Sequence, residues 1–459
     1  MNKYPLMSKL LVIGFLMVLL AIPLMMVRDV IAERSANRHD ATEEVARAHA
    51  GAQTLTGPVI WQPYTETFVR TVKVDGAIGQ TREEMVTEDR VSIQFPKTQD
   101  TRSQLDTETR LRGIFPVTVY TSQHAGTGRF VWTEITSQHR GGQLTLGQPL
   151  LLMGVSDARG LLAAPQLRLA GSPLPVGQAP AGAPLPLAAR LDPGRLQPGA
   201  TLDFDLKLDL AGTGRIGWVP LADENSVTLT SPWPHPNFTG DFLPRTRAIS
   251  ASGFEATWRV PSLSSQAQAQ FAQKGDRRPP LEQFSVALED PVDVYRLTER
   301  ATKYAMMFIM LTFAAFFVLE MVKRWRIHPM QYLMIGAAMV LFFLLLLSLS
   351  EHLDFAWAYL IASTACIALL AHYLRHVLGG WRAGLGMSGL LVALYGVLYG
   401  ILVSEDNALM MGSLLLFGVL AAIMVATRKI DWYGAMGPQP VTDREMQQPV
   451  QPAPAQGVA

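Results

Sequence analysis

The sequence predicts a multi-pass α-helical membrane protein with six transmembrane helices and one large all-β domain outside the membrane. Apolar residues make up 49% of the 459 residues and charged residues only 17%. The charge deficit is concentrated in runs of about 20 residues, the length that crosses a hydrocarbon core about 30 Å thick. The long stretch between the first two runs alternates apolar and polar residues instead, which indicates β-strands. Lys and Arg number 39 against 38 Asp and Glu, so the net charge gives no reason to expect nucleic-acid binding.

The first span is predicted at residues 10–27 and is expected to be retained as an anchor. It is long for a signal-peptide core, and no cleavage site of small residues follows it. Residues 29–50 are predicted to continue this helix. The other five spans lie in the last third of the chain, at residues 304–322, 330–349, 355–374, 385–403 and 408–426.

The orientation follows from the positive-inside rule, which counts Lys and Arg in the short connections. The connections after the second, fourth and sixth spans are basic, whereas those after the third and fifth are acidic and contain no Lys or Arg. Both termini are therefore predicted to be cytoplasmic, at residues 1–9 and in the Pro- and Gln-rich tail at 437–459, which is expected to be disordered. Residues 28–303 are predicted to form the outer domain.

The outer domain is predicted to consist of antiparallel sheets packed as a β-sandwich, with either one unit or two related units. Residues 202–210 alternate Leu or Phe with Asp or Lys, as a half-exposed strand does, and Asp75-Gly76 is a hairpin signal. Two units are favoured by the sequence AGTGR, which occurs at residues 125–129 and again at 211–215, and by a Pro-rich stretch at 171–200 that reads as a linker. The only cysteine, Cys366, lies in the fourth span, so the outer domain has no disulfide.

The motifs of serine hydrolases, zinc enzymes and nucleotide-binding loops are absent from the sequence. We therefore predict no catalytic residues, no metal site and no cofactor. The nearest approach to a loop motif is residues 156–160, which are interpreted either as a turn capped by Asp157 or as a ligand-binding pair of Asp157 and Arg159.

The most unusual segment of the outer domain is residues 230–244, where four prolines bracket large aromatic residues. Such a segment cannot be a central strand, because proline donates no ladder hydrogen bond. It is either a rigid turn packed over a sheet edge or a recognition loop whose preorganised rings bind a partner. The candidate recognition residues are Trp233, His235, Phe238, Asp241 and Phe242.

Within the membrane the sequence offers packing surfaces rather than charges. Small residues at helical spacing form one stripe on the fifth span and a second stripe, residues 418, 422 and 426, on the sixth. Such stripes favour helix packing, within the chain or between copies, over a pore lining. Glu320 is predicted to form an ion pair at the membrane interface, three and four residues before Lys323 and Arg324. The first stripe consists of Gly389, Ala393, Gly396 and Gly400.

One charged constellation is predicted where the outer domain meets the helices. Basic residues at the end of the domain lie in sequence next to the second span, at the membrane face where the acidic loops also emerge. As a hypothesis, these charges fasten the domain to the bundle, although exposed pairs contribute only about 0–1 kcal/mol each. The proposed latch comprises Arg300, Lys303, Glu351, Glu405 and Asp406.

Several segments resemble the CreD family of bacterial inner-membrane proteins, and the resemblance extends nearly end to end. They are residues 230–236 (TSPWPHP), 297–305 (LTERATKYA), 316–320 (FFVLE), 327–333 (IHPMQYL), 349–352 (LSEH) and 430–433 (IDWY). The resemblance implies a Gram-negative inner membrane, a periplasmic outer domain and expression under the CreBC two-component system. It also implies a role in envelope integrity and in responses to colicins or β-lactams. It assigns no active-site residues.

The preferred prediction is a non-enzymatic inner-membrane protein of cell-envelope integrity and stress response, whose periplasmic β domain recognises a partner. That partner is a periplasmic protein, a lipid or a cell-wall component, and a homo-oligomer is an additional option. The alternative is a transporter or lipid-handling membrane protein, because six helices can enclose a path. A periplasmic hydrolase is the third reading, for which no nucleophile and base can be nominated.

Overall fold

The computed structural model describes residues 5–73, 81–273, 280–288, 293–323, 327–377, 381–404 and 407–428. The predicted hairpin turn at Asp75-Gly76 and the tail at 437–459 lie outside these residues. The chain forms two compact units. The helical unit comprises Met1–Ala36 and Val292–Ala459, and the β unit comprises Asn37–Pro291.

Six helices in the described part of the chain are long and apolar enough to cross a membrane, which confirms the predicted number of spans. The first runs without interruption to Ala48, as predicted from residues 29–50. The second begins well before the predicted start at 304, at Val294. The Asp293 carboxylate accepts hydrogen bonds from the N–H groups of Tyr295 (3.0 Å) and Arg296 (3.3 Å) and so caps the helix. The helices are α1 (Pro5–Ala48), α2 (Ala267–Ala272), α3 (Val294–Lys323), α4 (Pro329–Ser350), α5 (Phe355–Val377), α6 (Trp381–Val403) and α7 (Ala408–Thr427).

The helical unit packs α3 against α4, α6 and α7, and places α5 between α4 and α6. Helix α1 contributes a buried seam with the three- and four-residue spacing that keeps one helix face against its neighbours. The seam packs on α4 at Gly336, where a side chain would meet Leu20. The seam consists of Ile13, Leu16, Leu20, Leu24, Val27 and Ile31.

The β unit is built from strands of very different length, and the longest, β1, borders four other strands. The strands are β1 (Gln53–Lys73), β2 (Thr81–Gln94), β3 (Thr98–Arg112), β4 (Phe115–Val131), β5 (Gln143–Leu146), β6 (Leu150–Val155), β7 (Gln166–Leu169), β8 (Ser172–Leu174), β9 (Val176–Gln178), β10 (Leu187–Arg190), β11 (Thr201–Thr213), β12 (Arg215–Val219), β13 (Glu224–Ser231), β14 (Pro236–Gly240), β15 (Thr246–Ser250), β16 (Gly253–Pro261) and β17 (Phe284–Leu288).

Two sheets form the β unit. Sheet A follows the order β14-β17-β12-β1-β6-β10-β9, with β2 and β5 also paired to β1, and sheet B follows β15-β16-β13-β3-β4-β11-β7-β8. Strands from before and after residues 171–200 interleave in both sheets, so the predicted division into two units near that stretch is wrong. The stretch itself contains three short strands, β8, β9 and β10, instead of a linker.

The repeated sequence AGTGR adopts two different conformations. In the first copy Gly128 lies inside β4, where a Cβ atom would come within 2.2 Å of the Thr98 carbonyl oxygen. In the second copy Gly214 has a φ of 70° at the turn between β11 and β12, a conformation that favours glycine. Glycine is therefore required for different reasons in the two copies, a close backbone contact at Gly128 and a positive φ at Gly214, and the two copies are not a structural repeat.

Side chains between the sheets form two large apolar clusters. One is centred on Trp218, Trp258 and Phe284, whose rings lie 5.4–6.3 Å apart. The other gathers residues such as Phe130 and Phe204. The predicted alternation at residues 202–210 is confirmed in β11, where the Leu and Phe side chains turn inward and the Asp and Lys side chains outward.

Candidate functional site

The Pro-rich segment at 230–244 lies at the edge of sheet A, where its short strand β14 pairs with β17. Its three aromatic rings are half-buried against the cluster around Trp258. Phe238 meets the rings of Trp258 at 5.7 Å and Phe254 at 5.9 Å, both edge to face. The Trp258 indole N–H donates to the Phe242 carbonyl oxygen at 3.2 Å, and the Trp233 indole N–H donates to the His235 carbonyl oxygen at 3.0 Å.

These contacts favour the packed-turn interpretation for Trp233, Phe238 and Phe242. His235 and Asp241 are exposed, although the Asp241 carboxylate accepts a hydrogen bond from the Gln283 N–H at 2.9 Å and so fixes the strand edge. A role in recognition stays a prediction for the five residues.

A groove with a volume of about 510 Å³ lies on the outward face of sheet B, across strands β3, β4, β13 and β16. The strand register explains its composition, because residues that alternate with the buried core positions all point outward. Asp100 is aligned with Thr127 on one side and Ser226 on the other, and Ser226 is aligned with Arg259. We call this feature the sheet B groove; its lining includes Thr98, Asp100, Thr127, Glu224, Ser226, Arg245 and Arg259.

Four charged side chains line the sheet B groove: Asp100, Glu224, Arg245 and Arg259. Three of them, Asp100, Glu224 and Arg259, project from neighbouring strands. The fourth, Arg245, precedes β15, and its backbone N–H donates to the Thr257 carbonyl oxygen of β16 at 2.8 Å, which holds it beside the groove. No salt bridge within 4.0 Å involves any of the four in the part of the chain that the structure describes. Their charges therefore face solvent, and both signs are available to a ligand. Sequence patterning did not single out these residues, because their spacing along the chain is unrelated to their spacing across strands.

The loop at residues 156–160 serves as a junction with the end of helix α1. Asp157 accepts hydrogen bonds from the Arg159 side chain (2.6 and 2.9 Å) and from the Gly51 N–H (3.0 Å), and these hold the pKa of Asp157 well below its usual range. Arg159 also donates to the Arg47 carbonyl oxygen at 2.5 Å, in the last turn of α1. The arrangement matches the capped-turn interpretation, and both charged groups are engaged within the chain.

A buried carboxylate that sequence reasoning missed lies in β1. Glu66 is enclosed, its Oε1 accepting from the Ser137 hydroxyl at 2.6 Å and from the His139 N–H at 3.0 Å. Arg90 Nε lies 3.4 Å from Oε2. The hydrogen bond from Ser137, assisted by those from His139, lowers the pKa of Glu66 to about 2 against the opposing effect of burial. A carboxylate of that pKa is a poor general base, and its hydrogen bonds tie residues 137–139 to β1.

A second buried polar group lies between the sheets at His124. Its two ring nitrogens lie 2.8 Å from the Ser103 hydroxyl and 2.9 Å from the Ser122 hydroxyl. Burial lowers the pKa of His124 to about 3, so the ring is neutral at neutral pH. Across the described ranges, no group of three or more His, Cys, Asp or Glu side chains has the proximity needed to hold a metal ion.

In the helical unit Glu320 pairs with a residue other than Lys323, and Arg324 lies outside the described residues. It pairs with Lys9 of α1, and it also accepts from the Tyr332 hydroxyl and the Ile327 N–H, both at 3.2 Å. Lys323, one turn further along α3, is exposed. The sequence placed Glu320 and Lys323 close together, but the helix directs them to different neighbours.

The predicted latch needed Arg300 and Lys303 in the outer domain, whereas α3 begins at Val294 and places both in the helical unit. Arg300 donates to the carbonyl oxygens of Ile401 (3.2 Å) and Ser404 (3.4 Å) at the end of α6. Lys303 lies 2.9 Å from Glu299 on its own helix. These contacts are internal to the helical unit, and the latch stays a prediction.

Of the three acidic residues in the predicted latch, the structure describes the contacts of Glu351. Glu351 accepts from the Tyr295 hydroxyl at 3.1 Å and lies 3.6 Å from Arg34 of α1. These contacts join α1, α3 and the end of α4. Glu405 and Asp406 lie outside the described residues.

The small-residue stripe on α6 has little contact with the rest of the helical unit. A side chain at Gly389 or Gly396 would meet nothing within 4 Å, and Ala393 is exposed. Only Gly400 approaches a neighbour, the Met411 side chain of α7. Packing of this stripe within the chain is therefore limited to its last residue, and packing between copies stays a prediction.

The second stripe borders a cavity of about 660 Å³ between α3, α6 and α7. Ala422 and Ala426 of α7 line it, together with Leu311 and Ala315 of α3. Small side chains thus leave space here instead of bringing helices together.

Comparisons with known proteins identify the family of the chain. A family model described as inner membrane protein CreD matches residues 5–433. The inner membrane protein CreD of Escherichia coli (strain K12) is 37% identical over 455 residues, which cover 97% of this chain and 98% of that protein. Among solved structures, a substrate-bound mutant of the M1 zinc metallopeptidase of Deinococcus radiodurans has 12% identity and a TM-score of 0.23, over 42% of both chains. The unmutated enzyme has a TM-score of 0.21 over the same share of both chains. Similarities this weak support no conclusion about fold or function. From the family match and the near-complete relative, the chain belongs to the CreD family of inner membrane proteins.

Proposed function

We propose that this protein is a non-enzymatic receptor of the cell envelope, whose β unit lies in the periplasm and binds an envelope component at the sheet B groove. Family membership and the six apolar helices support a multi-pass inner-membrane location. The basic connections after the second, fourth and sixth spans support cytoplasmic termini. A role in envelope integrity and in stress response follows from binding such a component.

The observation that carries the proposal is the set of unpaired charges in the groove. Protein surfaces commonly pair or disperse their charges, whereas here two guanidinium groups and two carboxylates line one concave feature of about 510 Å³. This volume falls within the range of small-ligand sites, about 300–1,000 Å³. Three of the four side chains project from paired strands of sheet B, so their backbone positions are fixed before a ligand binds. This lowers the entropic cost of binding.

The charges also define the ligand class. Arg245 and Arg259 present planar forks that match carboxylates with two hydrogen bonds each. Asp100 and Glu224 accept hydrogen bonds from ammonium groups. A ligand that carries both amino and carboxylate groups is complementary to the groove, which points to the peptide portion of an envelope polymer or protein.

Site-specific photocrosslinking in living cells tests the proposal. A photoreactive residue at Thr127 or Ser226 should give a discrete adduct, and one at the exposed Thr145 of sheet A should not. Reversing Arg245 and Arg259 to Glu should abolish the adduct, whereas Arg168→Glu, on the same sheet but away from the groove, should leave it intact. Adducts that form equally from Thr145, or that survive reversal of both groove arginines, refute the proposal.

The orientation has a separate test, because Cys366 is the only cysteine. In a Cys366→Ala background, Thr127→Cys should react with a membrane-impermeant maleimide in cells whose outer membrane alone has been permeabilised. Lys323→Cys should react only after the inner membrane is opened. The reverse pattern refutes a periplasmic β unit.

A further inference from the structure

The cavity between α3, α6 and α7 is apolar along its walls. Leucine, valine and isoleucine side chains provide most of the surface, and the one hydroxyl group, that of Thr312, donates to the Phe308 carbonyl oxygen at 2.8 Å within its own helix. Apart from the Lys323 ammonium at one end, the lining presents no unsatisfied polar group, so nothing along its walls requires a water molecule. A hydrocarbon chain is the natural occupant of such a space inside a bilayer.

The cavity is a feature of the helix sequences. Gly386 on α6, Ala315 on α3 and Ala422 and Ala426 on α7 are the small residues of its wall. Larger residues at these positions would fill the gap, and α7 would then pack closely on α3. Instead α7 is the most exposed helix of the unit, with only 11% of its apolar window buried.

The depth of the cavity fits one leaflet. Its wall on α3 runs from Leu311 to Lys323, and with a rise of 1.5 Å per residue this is about 18 Å. One leaflet of a hydrocarbon core about 30 Å thick measures about 15 Å. The space therefore extends from the end of the helix to the neighbourhood of the bilayer midplane, as an acyl chain does.

The charge at one end is positive. Lys323 closes the α3 wall and is exposed, and its sequence neighbour Glu320 is engaged by Lys9 on another face of the helix. No carboxylate lies within 4.0 Å of Lys323 among the residues that the structure covers. A lysine at the mouth of a membrane cavity attracts the phosphate of an anionic lipid, worth about 1 kcal/mol near the surface.

We propose that the cavity binds one acyl chain of an anionic phospholipid, whose net negative headgroup lies at Lys323. Phosphatidylglycerol and phosphatidylethanolamine share the same chains and the same phosphate, but the ammonium group of phosphatidylethanolamine cancels the phosphate charge. A comparison of the two lipids therefore measures the headgroup part of the site separately from the chain part. The chain part depends on the cavity volume, and the headgroup part depends on Lys323. This inference is independent of the sheet B groove.

Native mass spectrometry of the delipidated full-length protein tests it, with phosphatidylglycerol and phosphatidylethanolamine of identical chains as probes. The wild type should bind one phosphatidylglycerol about fivefold more tightly than phosphatidylethanolamine, since about 1 kcal/mol corresponds to about a fivefold ratio. Lys323→Gln should remove this preference without weakening phosphatidylethanolamine. Equal binding of the two lipids by the wild type overturns the headgroup assignment and with it the proposal.

The chain part has a matched pair of variants on α7. Ala422→Leu places three carbon atoms in the cavity and should weaken both lipids roughly sixtyfold, because each methylene kept out costs about fourfold. Ala421→Leu changes the adjacent alanine, which does not line the cavity, and should have no effect. An equal loss, or no loss, in the two variants means that only annular lipid is observed and overturns the proposal.

A chain-length series keeps the test decisive if Ala422→Leu does not fold. For the wild type, affinity for phosphatidylglycerol should rise about fourfold per methylene from ten carbons upward and level off once the chain reaches the cavity end. Affinity that does not depend on chain length overturns the proposal.

Discussion

Truncation of Phe238 to alanine discriminates between the packing and the recognition interpretation of the Pro-rich segment. A fully buried Phe→Ala change costs about 3–5 kcal/mol. Phe238 is half-buried and loses two edge-to-face partners, Phe254 and Trp258, each worth about 0.5–1.5 kcal/mol. We therefore expect a loss of about 2 kcal/mol. For a unit the size of Asn37–Pro291, this lowers Tm by about 4–8 °C.

Near-UV circular dichroism of the full-length protein in detergent is the measurement, since the change lies beside the indole of Trp258. Leu243→Ala is the matched control, because Leu243 belongs to the same segment but is 70% exposed; its Tm should stay within about 1 °C of the wild type. A Phe238→Ala protein with unchanged Tm contradicts the packing argument. If that protein also loses its envelope adduct, the segment is a recognition loop after all.

Three further outcomes follow from the structure. Gly128→Val should destabilise the β unit by about 3 kcal/mol, because its Cβ would lie 2.2 Å from the Thr98 carbonyl oxygen; an unchanged Tm contradicts this. Glu66→Gln should destabilise most above about pH 4.3, the unfolded pKa, and progressively less as pH falls through the folded pKa of about 2; urea titrations that give the same difference at pH 6 and pH 2.5 are the refuting result. Gly336→Leu should lower the Tm of the helical unit by displacing α1, whereas Gly389→Leu, which meets nothing within 4 Å, should leave it unchanged; equal effects would mean that the α1–α4 contact is unimportant.

Local patterns predicted the local structure well. Hydropathy located all six spans, the alternation at 202–210 located β11, and the helix-compatible residues 29–50 extended α1. Each of these properties depends on side chains a few positions apart. The start of α3 was placed too late because Asp293 caps a polar first turn, which a hydropathy criterion excludes.

Arrangements that depend on distant parts of the chain were not predictable in this way. The interleaving of strands across residues 171–200 depends on pairings such as that of β1 with β12. The apolar and polar alternation within a strand predicts which face is buried, but it does not predict which strand pairs with it. Lys9 and Glu320 meet because two helices cross. The sheet B groove likewise combines residues from four strands, so its charges become a site only once the register is known.

The pairing of β1 with β12 has a consequence for biogenesis. Gln53 at the start of the β unit pairs with Ile216, and β12 in turn needs β17 at Phe284–Leu288 to cover its other edge. The ribosome must therefore deliver nearly the entire segment between α1 and α3 before sheet A can close, and contacts this distant in sequence form slowly. Until then its unpaired strand edges are prone to aggregation.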